Sequence, residues 1–367
     1  MKICIIHCFD TYEHRVDLLH DYFKAKDAEV TVITSDYMHF EKRKRTDQKE
    51  DFKYVEAIPY TSNLSIKRLW SHLRLSRSIF AEITDEKFDL LWVLIPPNCF
   101  VRDAAIYKKK NQKTKLIYDV IDMWPETMPV AKFKNIFPFT YWRNMRDKYL
   151  NTADAIVTEC ELYQTRLPKY IDQRKMHTIY LARKQTPYIG KAELPKNTIA
   201  LCYLGSINHI IDISAVTQII YQFRQHAKVE LHIIGDGESR TVFCEACKKA
   251  GAHVVYHGTI YDKKKKQMIF DHCHYGLNIM KDSVFVGLTM KSMDYMEAGL
   301  PILNNIHGDT WGFIEKEKIG INIGRNIEES ALPMYDIQMR KRVRMFYEKN
   351  LCEDTFQRKV KEVLLQL

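Results

Sequence analysis

The sequence predicts an α/β protein made of two doubly wound parallel sheets. Short runs rich in Val, Ile and aromatic residues recur with helical stretches between them, at the spacing of repeated strand-helix-strand units. The pattern runs through once and stops over Arg183 to Thr198, which carries Pro187, Gly190 and Pro195 without hydrophobic periodicity; it then runs again. In the first half, strands are expected near 2–9, 29–35, 54–60, 89–95, 115–120, 155–159 and 177–181, with helices near 12–26, 65–84, 98–111, 139–151 and 161–168. In the second, strands are expected near 199–204, 229–234, 253–257, 275–280, 301–304 and 320–323, with helices near 213–226, 238–250, 263–272, 290–298 and 309–317. The last stretch, about 328–366, is helical and basic. The domains are therefore placed at 1–182 and 199–345, joined by a linker at 183–198, with a C-terminal helix over 346–367 packing back on the first domain. Two such sheets leave a cleft between their carboxyl ends, where open parallel sheets bind ligands.

Composition bounds the function. At 367 residues, a prior of about 150 residues per domain gives two to three domains. A hydrophobic fraction of 46%, a charged fraction of 28% and only 13 Gly and 11 Pro exclude collagen-like, low-complexity and largely disordered chains. The longest apolar stretches, such as Leu90 to Pro97, fall far short of the roughly 20 residues of a membrane-spanning helix. Met1-Lys2 leads straight into the strand-like Ile3-Cys4-Ile5-Ile6 without a small-residue cleavage site, which is not the pattern of a signal peptide. Nine cysteines, an odd count with Cys4, Cys8, Cys160 and Cys202 in apolar runs, point to buried thiols in a reducing cytosol. A net charge of +10 calls for an acidic partner: nucleic acid, an anionic membrane or a phosphorylated small molecule. The lysine runs at 42–45, 108–110 and 263–266 read as solvated loops or helix ends. They carry no interleaved aromatics, and no helix-turn-helix or zinc-finger signature appears, so nucleic acid is not expected.

Chemistry concentrates in the second half. The strand from Ile199 to Leu204 runs into Gly205-Ser206-Ile207-Asn208 and a helix with Asp212 near its start. A glycine at a strand-to-helix turn lets backbone amides approach a phosphate, and the helix N-terminus adds partial positive charge. The next strand ends in Ile233-Ile234-Gly235-Asp236-Gly237-Glu238, a second such turn; tight turn chemistry alone is the plain alternative for each. The densest stretch is Met280 to Thr310, with Gly287, Leu288 and Thr289 leading into a helix that carries Lys291 and Asp294. Lys291 and Asp294 are three apart and share a helix face. A lysine in the first turn opposes the helix dipole, which makes it sensible as a phosphate ligand. Asp294 could accept hydrogen bonds from a ribose; an ordinary ion pair between the two is the alternative.

The order of these features resembles the C-terminal domain of family 4 (group 1) glycosyltransferases of GT-B fold, over roughly residues 199–325. It runs from Gly205 through Ile234-Gly235-Asp236-Gly237-Glu238 and His257-Gly258 to Lys291-x-x-Asp294-Tyr295-Met296-x-Ala298-Gly299-x-Pro301. In the first domain, Asp122-Met123-Trp124-Pro125-Glu126 looks like the Asp-x-Trp-Pro-Glu segment of the bacterial capsule, exopolysaccharide and O-antigen branch. The resemblance implies two Rossmann-like domains facing a central cleft, the first taking an acceptor and the second a nucleotide-diphosphate sugar. It implies retaining transfer without a metal or other cofactor, with UDP the expected nucleotide and a glycan, lipid-linked, as acceptor. It makes Gly205, Ser206, Asn208, Gly235, Gly237, Gly258, Gly287, Leu288, Thr289, Lys291 and Asp294 donor-binding, with Lys291, Asp122 and His14 as catalytic residues. Arg15, Trp124 and Glu126 fall on the acceptor side, in the loops after strands of the first domain. The family's Glu-x7-Glu pair is not intact: its second member falls on Asp294 and its first on Val286. The usual Arg and Lys pair after Gly205 is also missing, which leaves Lys291 as the cation for the phosphates. A sugar-nucleotide epimerase of the UDP-N-acetylglucosamine 2-epimerase kind and a non-catalytic sugar-nucleotide-binding subunit are the rival readings.

Two further signals stand apart. Leu64 to Phe80 places Leu69, Trp70 and Leu73 near Lys67, Arg68, Arg74 and Arg77, the make-up of an interfacial helix or of a core helix with a basic solvent face. An interfacial helix implies peripheral contact with the anionic inner face of the cell membrane. Cys244-x-x-Cys247 and His272-Cys273-His274 have zinc-ligand residue types, but no second matching pair follows and 244–247 falls in an expected helix, so no metal is expected.

Overall fold

A computed structural model describes residues 1–63, 65–128, 135–183, 190–324 and 335–367. The chain divides into two compact units, Met1–Ala182 with Glu353–Leu367, and Arg183–Cys352.

Unit 1 runs β1 (Lys2–Ile6), α1 (Glu13–Lys24), β2 (Glu29–Ser35), β3 (Tyr37–Met38), β4 (Arg43–Lys44), β5 (Phe52–Val55), α2 (Ile66–Glu82), β6 (Leu90–Ile95), α3 (Cys99–Lys110), β7 (Lys115–Val120), α4 (Phe139–Leu150), β8 (Ala155–Thr158), α5 (Glu161–Gln164) and β9 (Met176–Thr178). Seven strands form one parallel sheet in the order β5-β2-β1-β6-β7-β8-β9. Its middle strand β6 is buried at every position, as a parallel strand covered on both faces must be. The antiparallel hairpin β3-β4 lies outside that sheet and has two residues per strand, too short for a periodic signal in the sequence.

Unit 2 runs β10 (Thr198–Leu204), α6 (Ile213–Arg224), β11 (Lys228–Ile234), α7 (Arg240–Lys249), β12 (His253–Gly258), α8 (Lys263–His272), β13 (Tyr275–Asn278), α9 (Met290–Glu297), β14 (Ile302–Asn304), α10 (Asp309–Glu317), β15 (Gly320–Asn322) and α11 (Gln338–Asn350). Its parallel sheet has the order β12-β11-β10-β13-β14-β15. In both sheets the chain first winds outward from the starting strand and then reverses across it, so the switch points lie between β1 and β6 and between β10 and β13. Such points open a crevice at the carboxyl ends of the strands.

The chain returns to unit 1 as α12 (Glu353–Leu364), whose Phe356, Val360 and Val363 lie in one core cluster with Val16, Leu19 and Phe23 of α1. This return comes later than the expected 346, because the basic helical stretch is two helices. They break at Leu351 and Cys352, which are buried against Arg183 where the chain enters unit 2: Arg183 donates its amide to the Leu351 carbonyl at 3.3 Å. Within the expected linker, 184–189 lies outside the described residues, as do 328–334 of the expected final helix.

Candidate functional site

The crevice of unit 2 is built from backbone first. Gly205 ends β10 with φ +114° and Gly235 ends β11 with φ +136°, conformations that side chains other than glycine rarely adopt. A Cβ on Gly235 would sit 2.0 Å from the Gly205 carbonyl oxygen, and one on Gly237 would sit 2.4 Å from that of Ile207. Gly235 and Gly237 therefore let the two loops pack backbone to backbone, and their amides are spent within the protein rather than presented to a phosphate, Gly235 donating to the Gly258 carbonyl at 2.8 Å and Gly237 to Asp236 Oδ1 at 2.8 Å. Gly205 itself faces open space except for the Lys291 side chain, whose Cε would lie 3.9 Å from an added Cβ. Gly258 also has positive φ, with nothing near its missing side chain. The loop after β10 meets the loop after β13, where the Lys281 amide donates to the Ile210 carbonyl at 2.9 Å.

Helix α9 carries the charge into this crevice. Tyr295 anchors it: its hydroxyl accepts from the Leu204 amide at 2.8 Å and donates to the Cys202 carbonyl at 3.1 Å, and Gly276 leaves room for its ring. One turn earlier, Lys291 is buried beside Gly205 with Nζ 4.4 Å from the centre of the Tyr203 ring. Among the described residues Lys291 has no hydrogen-bonded or ion-paired partner, and burial pulls its amine down to about 8. The alternative of an ion pair with Asp294 is overturned. Asp294 is taken by Arg183, with Lys266 Nζ 3.7 Å away, while Glu297 faces Lys263 at 3.2 Å. The 263–266 run is thus the first turn of α8, the helix-end reading, and two of its lysines reach α9.

The approach loop to α9 is built for rigidity. Thr289 is buried and caps α9 through the Ser292 amide, its hydroxyl also donating to Asn278 Oδ1 at 2.9 Å, so its side chain is structural rather than donor-binding. The Gly287 carbonyl accepts from both the amide and the hydroxyl of Thr310 at 3.1 Å, and Leu288 is buried. The Ser206 carbonyl accepts from the Tyr203 hydroxyl at 2.7 Å, and Asn208 Oδ1 accepts from the Ile210 amide. Val286, half-buried, offers no carboxylate at the position where the family pattern has one.

Unit 1 corrects several assignments. Arg15 is not a loop residue but lies in α1, 2% exposed, bound to both oxygens of fully buried Asp119 at 2.9 Å and to the Ile179 carbonyl. Glu126 is held by Arg143 at 2.8 Å and by fully buried Arg146 at 3.0 Å, so it locks its loop onto α4. His14, also in α1, donates from Nε2 to the Ala182 carbonyl at 2.7 Å. His14 and Arg15 both serve to tie α1 to the segment 179–182. Asp122 accepts from Trp124 Nε1 at 2.7 Å, from the Tyr12 hydroxyl at 3.3 Å and from the Thr127 hydroxyl, and burial raises its pKa despite these donors. Its oxygens are occupied in orienting Trp124.

Trp124 leads to what the sequence concealed. Arg68, read above as part of a basic outer face, is buried: its guanidinium sits 4.3 Å over the Trp124 ring and 5.4 Å from Phe9, within donating distance of the Asn63 carbonyl and no carboxylate among the described residues. His72 and Tyr60 complete this aromatic cage. Beside it opens a pocket of about 190 Å³, lined by Ile66, Leu69, Trp124, Pro138, Phe139 and Trp142 among others. The outward face of α2 shows both alternatives at once. Leu75, Ile79 and Phe80 pack inward, while Ile66 and Trp70 are exposed beside Lys67, Arg74 and Arg77, near Leu64, which lies outside the described residues. No described helix is long and apolar enough to cross a membrane.

No protein-family model and no curated protein matches the sequence. Solved structures do match. The chain is similar to the lipopolysaccharide outer core galactosyltransferase WaaB in its apo form, with 12% identity and a TM-score of 0.66 over 100% of this chain and 99% of that one. It is similar to HepE of Anabaena in complex with UDP, with 12% identity, a TM-score of 0.67 and 100% of both chains covered. A trehalose-6-phosphate synthase studied for glycosyl transfer with retention matches at 10% identity and a TM-score of 0.65, over 100% of this chain and 99% of that one. What is shared at these identities is the fold: two Rossmann-like units of the GT-B class, as the sequence pattern implied.

Proposed function

We propose that the protein is a glycosyltransferase that moves a sugar, with retention and without a metal, from a nucleotide-diphosphate sugar to a lipid-linked glycan of a bacterial surface polysaccharide. The observation that carries this reading is Lys291: a buried ammonium at the switch point of unit 2, beside a glycine that leaves space, with no carboxylate among the described residues to neutralise it. A cation left without a counter-ion in a low-dielectric crevice is a place for an anionic ligand. On a leaving diphosphate, its charge and the N-terminus of α9 would meet the negative charge as it develops. Asp294, in the same helix and paired with Arg183, is the candidate for the ribose. UDP is the nucleotide to try first, since the similar HepE was solved with it.

In unit 1 the aromatic cage and apolar pocket suit an acceptor with a hydrocarbon part, and Arg68 suits its phosphate. The exposed Trp70 and Ile66 with Lys67, Arg74 and Arg77 suit peripheral contact with an anionic bilayer. Two measurements test the reading. UDP at a hundred times its dissociation constant should add about 2.7 kcal/mol of stability, with the shift unchanged by EDTA and lost in Lys291→Ala. No shift with UDP, GDP, TDP or ADP would count against a donor site around Gly205, Lys291 and Asp294 and put a non-catalytic scaffold subunit first. Flotation with phosphatidylglycerol vesicles should carry the protein up, with less in Trp70→Ser; equal recovery with neutral vesicles would remove the membrane contact from the proposal.

A further inference from the structure

Away from the Lys291 crevice, unit 2 gathers a second group of ligand-type side chains. Glu230 and His232 are two apart on β11 and project from one face of the strand, while His272 is the last residue of α8. One ligand atom from each of the three lies within 4.8 Å of those of the other two. His232 is buried, and its Nε2 stands 2.8 Å from Glu230 Oε1 yet satisfies no hydrogen bond. On the other side of the ring, Nδ1 lies 2.9 Å from His257 Nε2, with the planes of the two rings nearly parallel at 9°.

We infer that Glu230, His232 and His272 form a binding site for a zinc-class divalent cation, with His257 as the residue that orients His232. The donor set is two imidazoles and one carboxylate, a set that binds zinc with a further position left for water. Four-coordinate zinc with bonds of about 2.0–2.1 Å holds its ligand atoms about 3.3 Å apart. The Glu230–His232 distance is somewhat shorter than that and the outer limit of the group somewhat longer, so small side-chain rotations close the set. A metal on Nε2 requires the His232 proton on Nδ1, and His257 is placed to accept it, the outer-shell arrangement that fixes the tautomer of a ligating histidine. The sequence, lacking a second matching pair for Cys244 and Cys247, offers no reason to expect a metal; the fold brings His272 to a carboxylate and a second imidazole instead. The ion would tie the C-terminal end of α8 to β11. It would sit about 10 Å along the strand from Gly235, so nucleotide binding is not routed through it.

The test uses the untagged full-length chain, stripped with EDTA and equilibrated with zinc chloride, then freed of excess metal by gel filtration. Elemental analysis should find one zinc per chain, with a rise in Tm. Cobalt(II) in its place should give visible absorption without the near-ultraviolet band of a thiolate complex. His272→Ala and Glu230→Gln should each lose the bound metal. His257→Ala should weaken binding about tenfold to a hundredfold. Cys244→Ser and Cys247→Ser should leave it unchanged. Failure to retain zinc, retention that survives His272→Ala, or a thiolate band with cobalt would each overturn the assignment. His272 is only half-buried at a helix end, so its variant remains interpretable if a change at buried His232 prevents folding.

Discussion

Arg15 in unit 1 and Lys291 in unit 2 are both buried cations in the first turn of a helix, and their surroundings differ completely. Arg15 is held by two parallel hydrogen bonds to Asp119, and Trp92 donates to the same carboxylate at 2.9 Å. Lys291 has the face of Tyr203 and the edge of Gly205. The first cation is completed by the fold, and the second is left incomplete by it. Burial and charge do not by themselves distinguish a structural residue from a binding one; the presence of a buried counter-ion does.

The sharpest way to break this comparison is to remove each cation. Arg15→Met leaves Asp119 charged and buried without its partner, which should cost about 3–5 kcal/mol, seen as a large fall in Tm or loss of soluble protein. A Tm within a degree or two of the parent would show that Asp119 is not held as described. Lys291→Met removes an uncompensated charge instead. Its stability at pH 7 should rise by about 1–3 kcal/mol, while affinity for UDP drops roughly 30-fold or more, as loss of a charge-assisted contact entails. Destabilisation with unchanged UDP affinity would reverse the roles assigned to the two residues.

Acidity sharpens the contrast further. The Lys291 amine titrates near 8 in the folded protein and near 10.5 when unfolded. Between these values the unfolded chain holds more protons, so Lys291 contributes a stability that rises with pH across that window and is flat below it. The difference in unfolding free energy between parent and Lys291→Met should therefore shrink from pH 8 to pH 10. A bound diphosphate would restore the charge, so UDP affinity should be level up to about pH 7.5 and fall by up to tenfold per unit above about pH 8. A pH-independent affinity would place the diphosphate elsewhere. The smallest effect is expected at Glu126→Gln: Arg146 keeps Asp147 at 2.7 Å and the Trp124 carbonyl at 2.9 Å, so the loss should be about 1–2 kcal/mol.

These cases also show what the sequence discloses and what it withholds. The strand-helix alternation was legible to within a few residues at most ends, because each parallel strand is a short apolar run and each helix has an apolar stripe. Gly205 and Lys291 were legible as a glycine turn and a lysine at a helix start, since both are local signals, and the fold sets them side by side. Arg15, Glu126 and Arg68 were misread for a shared reason. Whether a charged side chain is spent or available depends on its partner, and Asp119 lies 104 residues from Arg15 while Arg146 lies 20 from Glu126. Arg68 sits among outward-facing basic residues on α2, and only the tertiary placement of Trp124 and Phe9 turns it inward. The group around His232 escaped notice because His272, 40 residues beyond His232 at the end of α8, joins Glu230 and His232 of β11 only through the fold.

Helix α12 has a consequence for how the protein is made. Phe356, Val360 and Val363 complete the apolar core that begins at Ile3, Arg15 stacks on the Phe356 ring, and the Lys115 side chain reaches the Leu367 carbonyl. As the nascent chain leaves the ribosome, unit 1 emerges first but lacks these side chains until all of unit 2 has been synthesised. Unit 2, whose residues are contiguous, can close beforehand. The part of the protein that is translated first is thus the part that finishes folding last, and a premature stop codon after residue 352 would leave unit 2 intact while depriving unit 1 of part of its core.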